Sequence, residues 1–212
     1  MLLKICGLKD SENIKQVALL KPDFMGFIFY AESKRFVGED FVMPEISSEI
    51  KKVGVFVNAT ASYISEKSDQ YDLDYIQIHG DEDSVFCSDL CISLCTRIGK
   101  KEIKLIKAFG IDEHFDFDIL DEYSYSCDYF LFDTKAKEYG GSGRQFDWTL
   151  LENYSGTTPF FLSGGLGLKD IKKVQSSKFK VQAIDVNSMF EIEPGIKDIN
   201  KLKKINLSML SA

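Results

Sequence analysis

Short apolar runs alternate along the chain with longer segments of mixed polarity. The runs cover residues 2–6, 24–30, 52–57, 75–78, 103–108, 129–133, 159–163 and 182–186. They favour Val, Ile, Phe and Tyr, which suit a pleated, buried surface. Most are continuously apolar, as strands covered on both faces should be. A helix-like segment is expected between each pair. Ile14/Val17/Ala18 and Ile171/Val174 show the apolar stripe of an amphipathic helix, and Ile199/Leu202/Ile205 predicts a last helix over 198–210. The repeat is about 21 to 30 residues, the length of one strand plus one helix. Eight such units in 212 residues predict an α/β fold, a single closed (β/α)8 barrel over residues 1–212. An open, doubly wound sheet is the alternative. It usually needs fewer strands and announces a nucleotide site after the first, but Cys6-Gly7-Leu8-Lys9-Asp10 contains no G-x-G-x-x-G.

The bulk numbers narrow the function. The chain is 44% hydrophobic, enough for one well-filled core. Its net charge of −7 argues against a general binder of nucleic acid or anionic membranes, while leaving room for a local site that takes a small anion. Five cysteines, an odd count without the look of a small disulfide scaffold, read as reduced thiols in a cytoplasmic protein. No apolar stretch approaches a membrane span, and the first run is too short for a signal peptide. The expected assembly is a monomer or a homodimer.

In such a barrel, chemistry belongs at the C-terminal strand ends and the loops after them. Those ends carry Cys6, Tyr30, Asn58, Ile78-His79-Gly80, Lys107-Ala108, Asp133, Ser163-Gly164-Gly165 and Asp185-Val186-Asn187-Ser188. Polar, ionisable and glycine residues thus gather on one rim. Cys6 and Asp133 stand out. A thiolate can take a proton from carbon and a carboxylic acid can give one to a ring oxygen, the minimum equipment for a sugar isomerisation.

The ordered rim motifs resemble the phosphoribosylanthranilate isomerase family. The resemblance rests on Lys4-Ile5-Cys6-Gly7-Leu8, Gly26-Phe27-Ile28-Phe29-Tyr30 with Ser33-Lys34-Arg35-Phe36-Val37, Val53-Gly54-Val55-Phe56-Val57-Asn58 and Gln77-Ile78-His79-Gly80. It continues through Phe132-Asp133-Thr134-Lys135, Tyr139-Gly140-Gly141-Ser142-Gly143, Phe146-Asp147-Trp148, Leu162-Ser163-Gly164-Gly165-Leu166 and Asp185-Val186, then on to Glu191, Pro194-Gly195 and Lys197-Asp198. It implies an enzyme of tryptophan biosynthesis, a small phosphorylated substrate, and no cofactor or metal. The reaction would be the Amadori rearrangement of N-(5-phosphoribosyl)anthranilate to 1-(2-carboxyphenylamino)-1-deoxyribulose 5-phosphate.

The resemblance also implies roles. Cys6 matches the general base. A free thiol titrates near pH ~8.5, so positive surroundings or the substrate's cationic imine must favour its anion. Asp133 matches the general acid that opens the sugar ring, where an ordinary loop-capping Asp is the plainer reading. Arg35 matches the residue that grips the anthranilate carboxylate with paired hydrogen bonds. Gly164 and Gly165, with Asn187 and Ser188, match the phosphate site that barrels build after their last two strands. Asp185 is a candidate to orient the sugar hydroxyls or the imine nitrogen.

One departure concerns that phosphate site. The family pattern Asp-Val-Ser-Ser-Gly-Val-Glu here reads Asp185-Val186-Asn187-Ser188-Met189-Phe190-Glu191. Met189 replaces a glycine and rules out an easy positive φ. His79 reads as structural, and Gly140-Gly141-Ser142-Gly143 as a mobile loop that closes over substrate. Cys87, Cys91 and Cys95, flanked by Phe86, Leu90, Leu94 and Ile98, read as the core face of the helix after the fourth run rather than as metal ligands. Two rival functions are a dual-specificity barrel isomerase of the histidine pathway and a non-catalytic phosphosugar binder. The first typically pairs two aspartates, and the second needs neither Cys6 nor Asp133.

Overall fold

The computed structural model describes residues 1–96, 101–135 and 145–210, without the side chains of 206–210. Eight parallel strands close into a barrel in chain order. They are β1 (Leu2–Ile5), β2 (Phe24–Ile28), β3 (Lys51–Phe56), β4 (Tyr75–Ile78), β5 (Lys104–Ile111), β6 (Tyr129–Thr134), β7 (Phe160–Leu162) and β8 (Val181–Val186). The seam is β1 on β8, with Lys4 opposite Asp185. Every strand lies on an expected run, with ends shifted by a few residues. The largest shift is in β5, which continues to Ile111 because Phe109, Gly110 and Ile111 stay paired with Phe132, Asp133 and Thr134.

Helices α1 (Ser11–Ala18), α2 (Ala61–Tyr71), α3 (Ser84–Cys95) and α4 (Leu168–Gln175) follow β1, β3, β4 and β7. Asp10, Thr60 and Asp83 start the first three by accepting hydrogen bonds from the N–H groups of Asn13, Tyr63 and Phe86. After β8 come a 3₁₀ turn, Ser188–Phe190, the hairpin β9 (Glu191–Glu193) and β10 (Ile196–Lys197), and α5 (Ile199–Leu210).

A helix after every strand is not what forms. No α-helix separates β2 from β3 among the described residues, where Gly38, Pro44 and scattered acidic residues break any helical period. Residues Phe117–Tyr123 between β5 and β6, and Trp148–Asn153 before β7, are 3₁₀. In the β5–β6 connection ring contacts replace a helical stripe, with Phe115 meeting Phe109 at 6.0 Å and Phe117 meeting Phe132 at 6.1 Å.

The α3 stripe also turns out narrower than its spacing suggests. Cys87, Leu90 and Leu94 are buried, Cys91 is half-buried and Cys95 is exposed. Each step of four residues advances about 400° on a 3.6-residue turn, so two steps carry the third thiol off the core face. Ile98 lies outside the described residues.

Strand alternation sets what points inward. Phe24, Val53, Tyr75, Ile106, Ala108, Leu131, Phe161 and Ala183 fill the barrel. Phe24 packs against Tyr75 at 5.2 Å and Phe161 at 5.1 Å, so the centre is a solid aromatic plug. Further along, the same inward faces carry Lys4 on β1 and Cys6 just after it, Gln77 and His79 from β4, Asp133 on β6, Ser163 after β7, and Asp185 and Asn187 from β8. The plug thereby becomes the floor of a polar chamber.

Candidate active site

That chamber is a cavity of about 460 Å³ lined by the strand ends. Cys6, Asp133, Gly164, Gly165, Asp185, Asn187 and Ser188 all line it, and Arg35 does not.

Cys6 is 4% exposed, and its N–H donates to the Val186 carbonyl at 3.0 Å. Gly26 on β2 makes room for its sulfur. Burial pushes the Cys6 thiol up, Lys4 pulls it down, Asp185 adds to the rise, and Lys197 opposes it. Burial prevails. The positive surroundings alone therefore do not ionise the thiol, which leaves that work to a cationic substrate.

Lys4 is fully buried and its Nζ lies 2.9 Å from Asp185 Oδ2. Burial opposes its charge, but Asp185 and Cys6 outweigh burial and raise the Lys4 pKa. Burial likewise raises the Asp185 carboxyl against the pull of Lys4, and the charge of Asp133 adds to the rise. Asp185 Oδ1 finds no donor among the described residues. An unpaired carboxylate oxygen facing a cavity is an acceptor waiting for a ligand's hydroxyl or N–H.

Asp133 is half-buried, and its Oδ1 accepts the N–H of Thr134 at 2.7 Å. Its Oδ2 stands 3.6 Å from His79 Nε2. Gln77 Nε2 lies 2.6 Å from His79 Nδ1 on the other side of the ring. If the Gln77 amide donates, the ring's proton sits on Nε2, toward Asp133. His79, read from sequence as structural, thus borders the cavity beside the expected acid. The inward alternation from Tyr75 through Gln77 to His79 was the available signal.

Arg35 is engaged elsewhere. Its Nε donates to Glu191 at 2.9 and 3.1 Å, and Nη2 donates to Glu191 Oε2 at 2.7 Å. Lys197, also buried, donates to Glu191 Oε1 at 2.7 Å and to Asn187 Oδ1 at 2.6 Å. Burial disfavours the Glu191 anion, yet Arg35 and Lys197 outweigh it and hold the carboxyl below its usual range. Gly7, at φ +75°, lets this cluster close, because a Cβ there would stand 2.7 Å from both Arg35 Cδ and Asn187 Oδ1.

Gly164 and Gly165 adopt φ +93° and +62°, a region open mainly to glycine. A Cβ on Gly164 would strike Thr134 Oγ1. Met189 is not among the positive-φ residues, so its replacement of glycine imposes no backbone strain. The N–H groups of Gly165, Ser188 and Met189 have no acceptor among the described residues. Lys107, expected at a strand end, lies inside the longer β5 and is held by Gly80 O at 2.7 Å and Glu82 at 3.3 Å. Gly140-Gly141-Ser142-Gly143 lies outside the described residues.

The family model for N-(5'-phosphoribosyl)anthranilate isomerase matches residues 3–206. The chain belongs to the phosphoribosylanthranilate isomerase family. An isomerase of this family from Parabacteroides distasonis is 45% identical over 96% of this chain and 90% of its own. The crystal structure of the Thermotoga maritima phosphoribosyl anthranilate isomerase superposes with a TM-score of 0.80 at 30% identity, covering 100% of both chains. A phosphoribosyl anthranilate isomerase crystallised with reduced 1-(o-carboxyphenylamino)-1-deoxyribulose 5-phosphate superposes with a TM-score of 0.77 at 27% identity, again over 100% of both chains. Membership makes the chain an aldose–ketose isomerase of tryptophan biosynthesis.

Proposed function

We propose that Asp133 and Cys6 carry out the Amadori rearrangement of N-(5-phosphoribosyl)anthranilate to 1-(2-carboxyphenylamino)-1-deoxyribulose 5-phosphate in this cavity. One observation carries the reading: a thiol and a carboxyl from β1 and β6, distant in sequence, face the same chamber. The substrate's phosphate is held by the free N–H groups of Gly165, Ser188 and Met189, which suit an anion without any basic side chain. Asn187, tied to Lys197, fixes the second of these two loops. Arg35 does not line the cavity, and its Nη1 edge, which Glu191 leaves unoccupied, is the part that would take the anthranilate carboxylate.

Asp133 gives its proton to the ring oxygen, and the C1–O bond breaks to leave a protonated imine. That cation adds to the charges of Lys4 and Lys197 beside Cys6, which alone do not offset burial. The sulfur then takes the C2 proton, and the resulting enol relaxes to the ketone. Asp185 Oδ1 receives a hydrogen bond from a sugar hydroxyl or the amine nitrogen. Five free thiols support a reducing, cytoplasmic setting.

The direct test follows the fluorescence of freshly prepared phosphoribosylanthranilate as purified protein is added. Rapid loss of signal is expected. Folded protein that leaves the signal unchanged overturns the assignment.

A further inference from the structure

The steps above leave one buried cation unused. Lys4 lies two residues before Cys6, on the same inward face of β1. Its side chain is fully shielded from solvent in a strand whose neighbours are apolar. Burying an ammonium there is expensive, and an apolar residue of similar volume often serves stability as well or better. Pairing with Asp185 at 2.9 Å offsets part of that cost. The pairing does not explain why either charge is present. Cys6, the next residue on the same inward face and buried like Lys4, does.

We propose that Lys4 is a positioning residue for Cys6: its ammonium, clamped by Asp185, supplies the fixed positive charge beside the thiolate. This rests on Cys6 being the base. In the step concerned, the C2–H bond breaks and an S–H bond forms on Cys6. The C–H electron pair enters a C1–C2 double bond as the imine nitrogen becomes neutral. The sulfur loses its charge, and Lys4 is left with Asp185 as its sole anionic partner. The charged groups that face Cys6 are Lys4 on its own strand, Asp185 on β8 and Lys197 on β10. Lys197 is already held by Glu191 and Asn187, whereas Lys4 shares the strand face of Cys6 and acts on its charge more strongly than Lys197 does.

The test is alkylation of Cys6 by iodoacetamide as a function of pH, read by peptide mass spectrometry to separate it from the other thiols. This reads the sulfur's ionisation whether or not the protein turns over substrate, so its outcome is independent of the functional assignment. In Lys4→Gln, alkylation at pH 8 is expected to fall about tenfold, one unit in the sulfur's titration. In Asp185→Asn the rate is expected to rise several-fold, because an anion is removed and Lys4 turns to the sulfur. Equal rates in the three folded proteins, or shifts of the same sign in both variants, overturn the proposal. Should Lys4→Gln fail to fold, Asp185→Asn decides alone: a rise upholds the proposal, and a fall or no change overturns it.

Discussion

Gly26 has no side chain, and the sulfur of Cys6 occupies the space: a Cβ added at Gly26 would stand 2.7 Å from Cys6 Sγ. The second strand thus sets where the reactive atom of the first can be. Gly26→Ala is expected to displace that sulfur and lower kcat about 10²-fold, the scale of a misplaced reacting group. Stability should fall by about 1–3 kcal/mol, as in an overpacked interior. Steady-state kinetics with thermal denaturation checks both. Unchanged kcat would show that the sulfur's position is uncritical.

Asp133→Asn keeps the shape of the side chain and removes the transferable proton. Turnover is expected to drop by about 10²–10⁴-fold, the range for a general acid. Affinity for a non-reacting reduced product analogue should change little. Calorimetric titration beside the fluorescence assay separates the two, and equal losses of binding and turnover would assign Asp133 to binding.

Burial holds the Cys6 thiol above its ordinary value. The active form is the anion, so the free protein becomes competent as pH rises. The expected profile of kcat/KM climbs through neutrality, with the midpoint of that limb above the ordinary thiol range. A limb that levels off near pH 7 would mean that another group, or a differently charged cavity, governs the base.

Glu191 titrates below its usual range when folded. A depressed carboxyl lends stability that is present above its unfolded value, about 4.3, and lost as pH falls through the folded one. Glu191→Gln should remove this acid-sensitive part and leave buried Lys197 without its anion. A loss of about 3 kcal/mol at pH 7 is expected, on the scale of a broken buried pair. Urea melts at pH 7 and pH 3.5 check it: the gap between the two proteins should narrow at the lower pH.

Phe161 is fully buried where Phe24 and Tyr129 meet it at 5.1 and 5.3 Å. Phe161→Ala should cost about 3–5 kcal/mol by opening a void in the plug. The sulfur's pH profile should not move, which alkylation of Cys6 would report.

The barrel was legible because buried parallel strands leave unbroken apolar runs, and the rim residues followed from where those runs stop. The 3₁₀ connections were not, because Phe115 and Phe117 are anchored by rings of the two flanking strands and leave no helical period. Cys6, Asp133 and Asp185 were found as strand-end polar residues, and the structure brings them to one cavity. Lys4 escaped notice although a lysine inside an apolar run was a visible anomaly. The Arg35–Glu191 pairing joins residues 156 positions apart, and nothing local encodes it.

Gly7 carries no charge and no side-chain donor, yet Arg35 and Asn187 both crowd against it. The segments assigned to the aromatic acid and to the phosphate are therefore not independent of one another. A single methyl at this point would pry them apart together, so how the two ends of a ligand are spaced is governed by a residue that touches neither.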